Sequence, residues 1–424
     1  MAHPYAELLK DRDVRVLWSG LSLSAIGSEL FRVGAIWLAA TMAGADASLL
    51  VTAQAAAMLA VSLLAGPLIE MVPRRRFLVV GEIVSAAGAG LVVVAGLTWG
   101  LSLPMLVASS TALSAIGVMA RPVFLSSLPL VAPGRVREVN GLFDSSVRIA
   151  QAAGPFLAAL ALKVIAPIHL LTVNAVTFLA SALAVALVGR RLESGAHPPA
   201  AAPGIFRRLA RGVRAASGCP GVWSVLIATG IRGGGYALGY TVAVPLLFVQ
   251  GDVGLPGLAI VMRVGATAEI VSTPLLVLAE ARRPLRRLFQ GYVMIGVSLS
   301  VMGAVAIALA GAPTAWLVAG LAAAAALVGV GNSVATLQIT TFFATRLASD
   351  DYAAVLRLRM VTIIGSMMAA TAAGPWVLHA LGPANTILAC GAAAAIAGFA
   401  GMLGGPARRL GPGFAEPKPQ GAQG

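Results

Sequence analysis

Apolar runs long enough to cross a membrane recur along the whole chain. A helix of about 18 or more apolar residues covers the ~30 Å of hydrocarbon in a bilayer. Reading the runs in order gives twelve spans, at 16–42, 48–71, 77–99, 102–130, 140–166, 168–189, 221–250, 254–280, 285–311, 313–343, 354–381 and 383–404. The gaps between them are short and hold most of the charge. Charged residues make up 11% of the 424 and hydrophobic ones 58%. A soluble domain carries ~25% charged residues, so this chain has too little polar surface for water. Only helices and closed barrels satisfy their backbone in lipid. Continuous Ala, Leu, Val and Gly runs lack the alternation of roughly ten-residue barrel strands. The expected fold class is an all-α membrane protein of twelve transmembrane helices.

The first run does not look like a cleaved signal. Residues 1–15 mix both signs of charge, and the run behind them is long and carries Glu29 and Arg32. Cys219 in a polar linker and Cys390 in an apolar run make neither a disulfide framework nor a metal site. His3, His169, His197 and His379 fit no zinc spacing. No nucleotide-binding motif follows a strand. No cofactor, no metal and no enzymatic chemistry are expected.

Basic residues fall on one side of the twelve spans. With the N-terminus taken as cytoplasmic, 24 of the 30 Lys and Arg lie in cytoplasmic segments, among them Arg74–Arg76, Arg282–Arg287 and Arg408–Arg409. The opposite loops, such as 44–47, 98–102, 251–255 and 311–314, hold none. This is the positive-inside pattern, with both termini cytoplasmic in the cytoplasmic (inner) membrane. It accounts for the net charge of +14 through anionic lipid as partner, with no nucleic acid.

The chain also divides in two. Residues 1–189 form one expected half and 221–404 the other. Between them lies a cytoplasmic linker, 190–220, whose stretch Phe206–Ala216 reads as a short basic amphipathic helix. Residues 405–424 read as a disordered cytoplasmic tail. Ala152-Ala153-Gly154-Pro155-Phe156 in span five recurs as Ala372-Ala373-Gly374-Pro375-Trp376 in span eleven, the fifth span of its half. Parallel six-helix repeats around a midplane cavity are a transporter architecture.

Four stretches carry a resemblance to the major facilitator superfamily, and within it to the branch of drug and siderophore exporters that includes enterobactin and macrolide efflux proteins. They are Leu9–Trp18 with Ile26–Leu38, the segment Gly66–Arg75, the segment Arg121–Gly141, and Arg148 with Gly154-Pro155. Gly66–Arg75 is similar in spacing to the loop signature G-x-x-x-D-R-x-G-R-R, with Glu70, Met71 and Pro73 replacing its Asp, its first Arg and its second Gly. Gly154–Ala159 resembles G-P-x-x-G-G without the two later glycines. The resemblance implies two pseudo-symmetric six-helix halves. It also implies gating roles for Glu70, Arg74, Arg75, Gly154 and Pro155, and a central cavity lined by spans one and seven.

Ionisable residues inside spans cost at least ~2.5–3.5 kcal/mol near the bilayer centre, and are functional candidates for that reason. Glu29 and Arg32 in span one, Arg232 beside Gly233–Gly235 in span seven, and Arg263 and Glu269 in span eight are the substrate-binding or coupling candidates, each weighed against interhelical pairing. Asn332, like Gln54 and Gln338, is a candidate to hydrogen-bond a solute or a neighbouring helix. Glu82, about one turn inside span three, is expected in a gate or a structural ion pair near Arg74–Arg76. Asp144 and Arg148 are four apart and can pair; with Arg121 they are assigned to the gate. Lys163 is expected to snorkel at the outer end of span five. Arg32, Arg121, Arg148, Arg232 and Arg263 outnumber Glu29, Asp144 and Glu269. That surplus favours an anionic, amphipathic solute such as a siderophore. The expected function is secondary active export by alternating access, with proton coupling and as a monomer. The alternatives are a multidrug or macrolide efflux pump and an importer or uniporter of a small metabolite.

Overall fold

The computed structural model describes residues 7–64, 73–162, 164–188, 205–251, 253–277 and 283–404. Every regular element among them is helical. The helices are α1 Arg12–Ala43, α2 Ser48–Leu64, α3 Arg74–Trp99, α4 Leu103–Val131, α5 Val136–Ala161 and α6 His169–Val188. They continue with α7 Ile205–Gly218, α8 Val222–Gly235, a π-helical stretch Tyr236–Ala243, and α9 Val244–Gln250. The last are α10 Gly254–Val277, α11 Pro284–Ala308, α12 Thr314–Arg346, α13 Ser349–Ala372 and α14 Gly374–Leu403. Nine helical stretches among the described residues are long and apolar enough to cross a membrane. The first of these, Arg12–Leu64, holds two predicted spans joined through Gly44–Ala47. Predicted spans five and seven are not among the nine: α5 carries Glu138, Asp144 and Arg148, and span seven is divided into three short helical pieces.

Several predicted ends move. Span five begins earlier and ends earlier, at Val136–Ala161. Span eleven is not one continuous helix. It comprises α13 and, after a break at Ala373, the first turns of α14; the bend before span twelve comes at Gly382, with φ 73°. A positive φ followed by Pro383 ends a helix sharply, because glycine alone accepts it without strain and proline supplies no N–H. The repeated Ala-Ala-Gly-Pro stretch thus has two local structures. Its first copy runs helically through α5, whereas the second starts a new helix, with Pro375 in the first turn, where its missing donor costs nothing. The amphipathic helix forms as α7. Residues 65–72, Lys163, 189–204 and the tail 405–424 lie outside the described residues.

The chain forms two compact units. One comprises Met1–Ala202 with Pro245–Arg263 and Gly374–Trp376; the other comprises Pro203–Val244, Val264–Ala373 and Val377–Gly424. In the first unit α1 packs along α6 through Gly20, Gly27 and Gly34, seven residues apart. A side chain on Gly20 would meet Ala184, one on Gly27 would meet Thr177 and Asn174, and one on Gly34 would meet Leu170. Small residues let membrane helices approach closely where no hydrophobic force drives them together. The other face of the pairing is patterned for lipid. On α6, Asn174, Thr177 and Ser181 are buried, whereas Val176, Leu179, Leu183 and Leu187 are each more than half exposed. Polar residues turned inward and aliphatic ones outward suit a hydrocarbon solvent.

The second unit repeats the device. Gly291 on α11 lies against Gly331 and Ala335 of α12, and Gly296 against Gly391 and Ala395 of α14. Gly265 of α10 faces Ala325 of α12, and Gly329 of α12 faces Gly265. A buried cluster including Val225, Leu226, Phe289, Ile339, Phe342 and Phe343 fills the centre. Helix α7 joins this unit by its small face: Gly212 abuts the Ala354 carbonyl and Leu358 on α13, and Arg211 Nε lies 3.8 Å from Asp351.

Candidate functional site

The first unit encloses a cavity of about 390 Å³ walled by α1, α2, α3, α4 and α6. Glu29 and Arg32 line it as a closed pair: Arg32 Nε and Nη2 donate to Glu29 Oε2 at 2.8 and 2.5 Å. Three residues apart on a helix, they lie on one face, which is why they meet. Gly154 of α5 abuts the Glu29 stem: a Cβ built there would stand 2.6 Å from Glu29 Cβ. Gln54 lines the cavity from α2.

Glu82 also faces this cavity. It bonds no arginine among the described residues. Its Oε1 accepts the Ser181 hydroxyl at 3.0 Å, and its Oε2 is buried without a partner. Of the expected Arg74–Arg76 partners, Arg75 donates through Nη2 to the Ala186 carbonyl at 2.9 Å. Beside Glu82 the cavity wall contains Asn174, fully buried with neither side-chain atom bonded, and Ser110, buried with its hydroxyl unpartnered. Sequence reasoning missed Asn174. Its signal was the polar stripe Asn174, Thr177 and Ser181 within an otherwise aliphatic span.

Of the gating candidates, Asp144 and Arg148 form the predicted pair, Arg148 Nε to Asp144 Oδ2 at 2.9 Å. Arg121 Nη2 approaches the other carboxylate oxygen at 3.8 Å. All three are substantially exposed, so the cluster is loosely held. Arg74 is half-buried at the start of α3. The backbone at Gly154 and Pro155 is helical. Glu70 lies outside the described residues. Arg263 is exposed and stacks over Phe156, 4.9 Å from the ring centre, within the first unit.

In the second unit the structure assembles two groups. Arg232 lies 5.5 Å from the ring centre of Tyr292, whose hydroxyl shares a 2.6 Å hydrogen bond with Thr229. Arg359 of α13 lies within electrostatic reach of Tyr292, Arg232 and Tyr352. The Nε atoms of Arg232 and Arg359 are both buried without a hydrogen-bond partner. Arg232 thus stacks on the Tyr292 phenol, and Arg359 lies within electrostatic reach of both. The second group centres on Glu269, whose Oε1 accepts the Asn332 amide at 2.7 Å. The Glu269 carbonyl accepts the hydroxyls of Ser272, Thr273 and Ser333 at 3.2, 2.7 and 2.9 Å. Glu269 and Asn332, separate candidates in the sequence, are thus joined by a hydrogen bond. Gln338 is buried with its Oε1 unpartnered.

Helical spans packed through glycine, two compact units and polar residues turned inward describe a membrane transporter in outline. Residues 17–355 match the sequence profile of the Major Facilitator Superfamily. The chain belongs to that superfamily. Solved structures of its fold align over nearly the whole chain. An auto-inhibited POT family peptide transporter is 14% identical, with 94% of this chain and 97% of that chain covered and a TM-score of 0.72. A POT family transporter in complex with 5-aminolevulinic acid is 12% identical, with 92% and 95% covered and a TM-score of 0.70. A bacterial homologue of the human lysosomal transporter Spinster, inward-facing and unoccupied, is 14% identical, with 96% and 98% covered and a TM-score of 0.64. A comparison with curated proteins found no match. As a member of the major facilitator superfamily, the chain is a multi-pass membrane transporter for small-molecule solutes.

Proposed function

We propose that this transporter is a secondary active exporter of a small anionic, amphipathic solute, such as a carboxylate-type siderophore, working by alternating access with proton coupling. It acts as a monomer in the cytoplasmic (inner) membrane, both termini cytoplasmic, with six-helix halves at 1–189 and 221–404. The observation that carries this reading is the pair Arg232 and Arg359 around Tyr292, with a free Nε on each. Two half-buried cations with no carboxylate bonded to them among the described residues are costly unless an anion arrives. Guanidinium groups suit carboxylates and catecholates through paired, charge-assisted hydrogen bonds. Glu29, Arg32, Arg263, Glu269 and Asn332 are the accompanying binding or coupling residues. Glu70, Arg74, Arg75, Glu82, Arg121, Asp144, Arg148, Gly154 and Pro155 are proposed to act in gating.

The test is binding to the reconstituted protein by anionic and cationic amphipathic ligands of similar size. Loss of one charge-assisted contact lowers affinity about ten- to hundredfold. Arg232→Gln and Arg359→Gln are each expected to lose anion binding by that factor and leave cation binding unchanged. Tight cation binding that neither substitution alters rejects the reading. A second reading, import of a small metabolite, is favoured by the likeness in fold to a transporter solved with 5-aminolevulinic acid. It predicts uptake into vesicles along an inward gradient.

A further inference from the structure

The carboxyls within the spans differ in what holds them. Glu29 is clamped by two donors of Arg32. Asp144 is bonded by Arg148 and approached by Arg121. Glu269 is held by the Asn332 amide. Glu82 has only the neutral Ser181 hydroxyl on one oxygen, and the other is buried and unpartnered. A carboxylate locked to an arginine cannot accept a proton without breaking the pair. Glu82 can, with no ion pair to dismantle.

The charges that face Glu82 are few. From α1 the cavity receives Glu29 and Arg32, already bonded to each other; α2, α4 and α6 contribute no titratable side chain to it. On its own helix the nearest cations are Arg74–Arg76, two turns back in the first turn of α3, with Arg75 committed to Ala186. Other polar atoms on the same wall are also unpaired. Asn174 Nδ2 and Oδ1 and Ser110 Oγ, donors as well as acceptors, are buried without partners. Buried polar atoms in folded proteins are nearly always paired. A neutral carboxyl carries one O–H donor that an ionised one lacks. A proton on Oε2 of Glu82 leaves this wall of neutral polar groups without a buried, unpaired charge.

We propose that Glu82, rather than Glu29 or Glu269, is the carboxyl on which this transporter loads and releases its coupling proton. The proton enters from the cavity onto Oε2 and leaves by the same route. The proposal rests on the proton-coupled reading above, but its test needs no solute and so fails or succeeds apart from the substrate class. The experiment is pH-difference infrared spectroscopy of the reconstituted full-length protein, following the carboxylic-acid carbonyl band. Wild type is expected to show a titrating band that Glu82→Gln abolishes and that Glu29→Gln and Glu269→Gln retain. Glu82→Asp keeps a carboxyl and is expected to keep a band displaced in frequency, which covers the case in which the Gln variant does not fold. A band unchanged in Glu82→Gln, or identical to wild type in Glu82→Asp, overturns the proposal.

Discussion

The bare α-carbon of Gly154 lies against the side-chain stem of Glu29, so that α5 touches α1 at the one point where α1 carries its ion pair. A Cβ at position 154 would stand 2.6 Å from Glu29 Cβ. Overpacking of this kind typically costs about 1–3 kcal/mol. Gly154→Val is therefore expected to lower the thermal midpoint in detergent and to disturb Arg32, whereas Gly88→Ala, which has ordinary space at 3.7 Å from Leu113, serves as the neutral control. Equal melting of both variants and wild type would show that the contact is slack.

Asn332 donates to Glu269 across two helices. Removing it leaves a partly buried carboxylate short of a donor, a loss of about 1–3 kcal/mol. Asn332→Leu is expected to destabilise by that amount in a denaturation series, and Glu269→Gln to recover part of the loss in the double variant. Strict additivity of the two single changes would mean that the residues do not interact.

Cys219 reports on the docking of α7. Burial pushes its thiol up from the usual range, and the Arg346 guanidinium offsets only part of that. A raised thiol holds less thiolate at a given pH, and the thiolate is the nucleophile. Maleimide labelling of the folded protein is expected to be slow near neutrality and to rise as pH is raised past the ordinary cysteine range. Gly212→Val, which drives a side chain into the Ala354 carbonyl 2.8 Å away, is expected to lift α7 and accelerate labelling. Asp351→Asn breaks only the exposed pair with Arg211 and is expected to change stability by no more than ~1 kcal/mol.

Reporter fusions after Arg190, Arg287 and Arg409 test the orientation drawn from the arginine count. All three are expected to report cytoplasm. A periplasmic signal at any one breaks the twelve-span order.

Length and charge made the spans readable, because hydrocarbon thickness fixes how many apolar residues a crossing needs. The helix ends were less readable. Span eleven reads as one apolar run, and only the break at Ala373 divides it, a feature of backbone geometry that composition does not carry. Glu29 and Arg32, three apart, were weighed only against pairing between helices, whereas the i,i+4 pair Asp144–Arg148 was legible because helix periodicity alone brings it together. Pairs between helices were not: Glu82 with Ser181 and Glu269 with Asn332 depend on register between spans. The heptad of Gly20, Gly27 and Gly34 was present in the sequence, and its meaning appears only with α6 beside it.

Span seven contains an eight-residue π-helical stretch, Tyr236–Ala243, immediately after Gly233–Gly235, with the rings of Tyr236 and Tyr240 stacked 4.8 Å apart. A π-turn holds one residue more than an α-turn needs. That surplus residue works like the spare tooth on a ratchet wheel. Were it to pass one turn along the helix, the residues it passed would rotate by about 100° and advance about 1.5 Å, with no hydrogen bond lost from the ladder as a whole. Arg232 stands one turn before the stretch. Were the extra residue to pass back beyond Arg232, that guanidinium would turn about the axis of span seven by screwing rather than by bending.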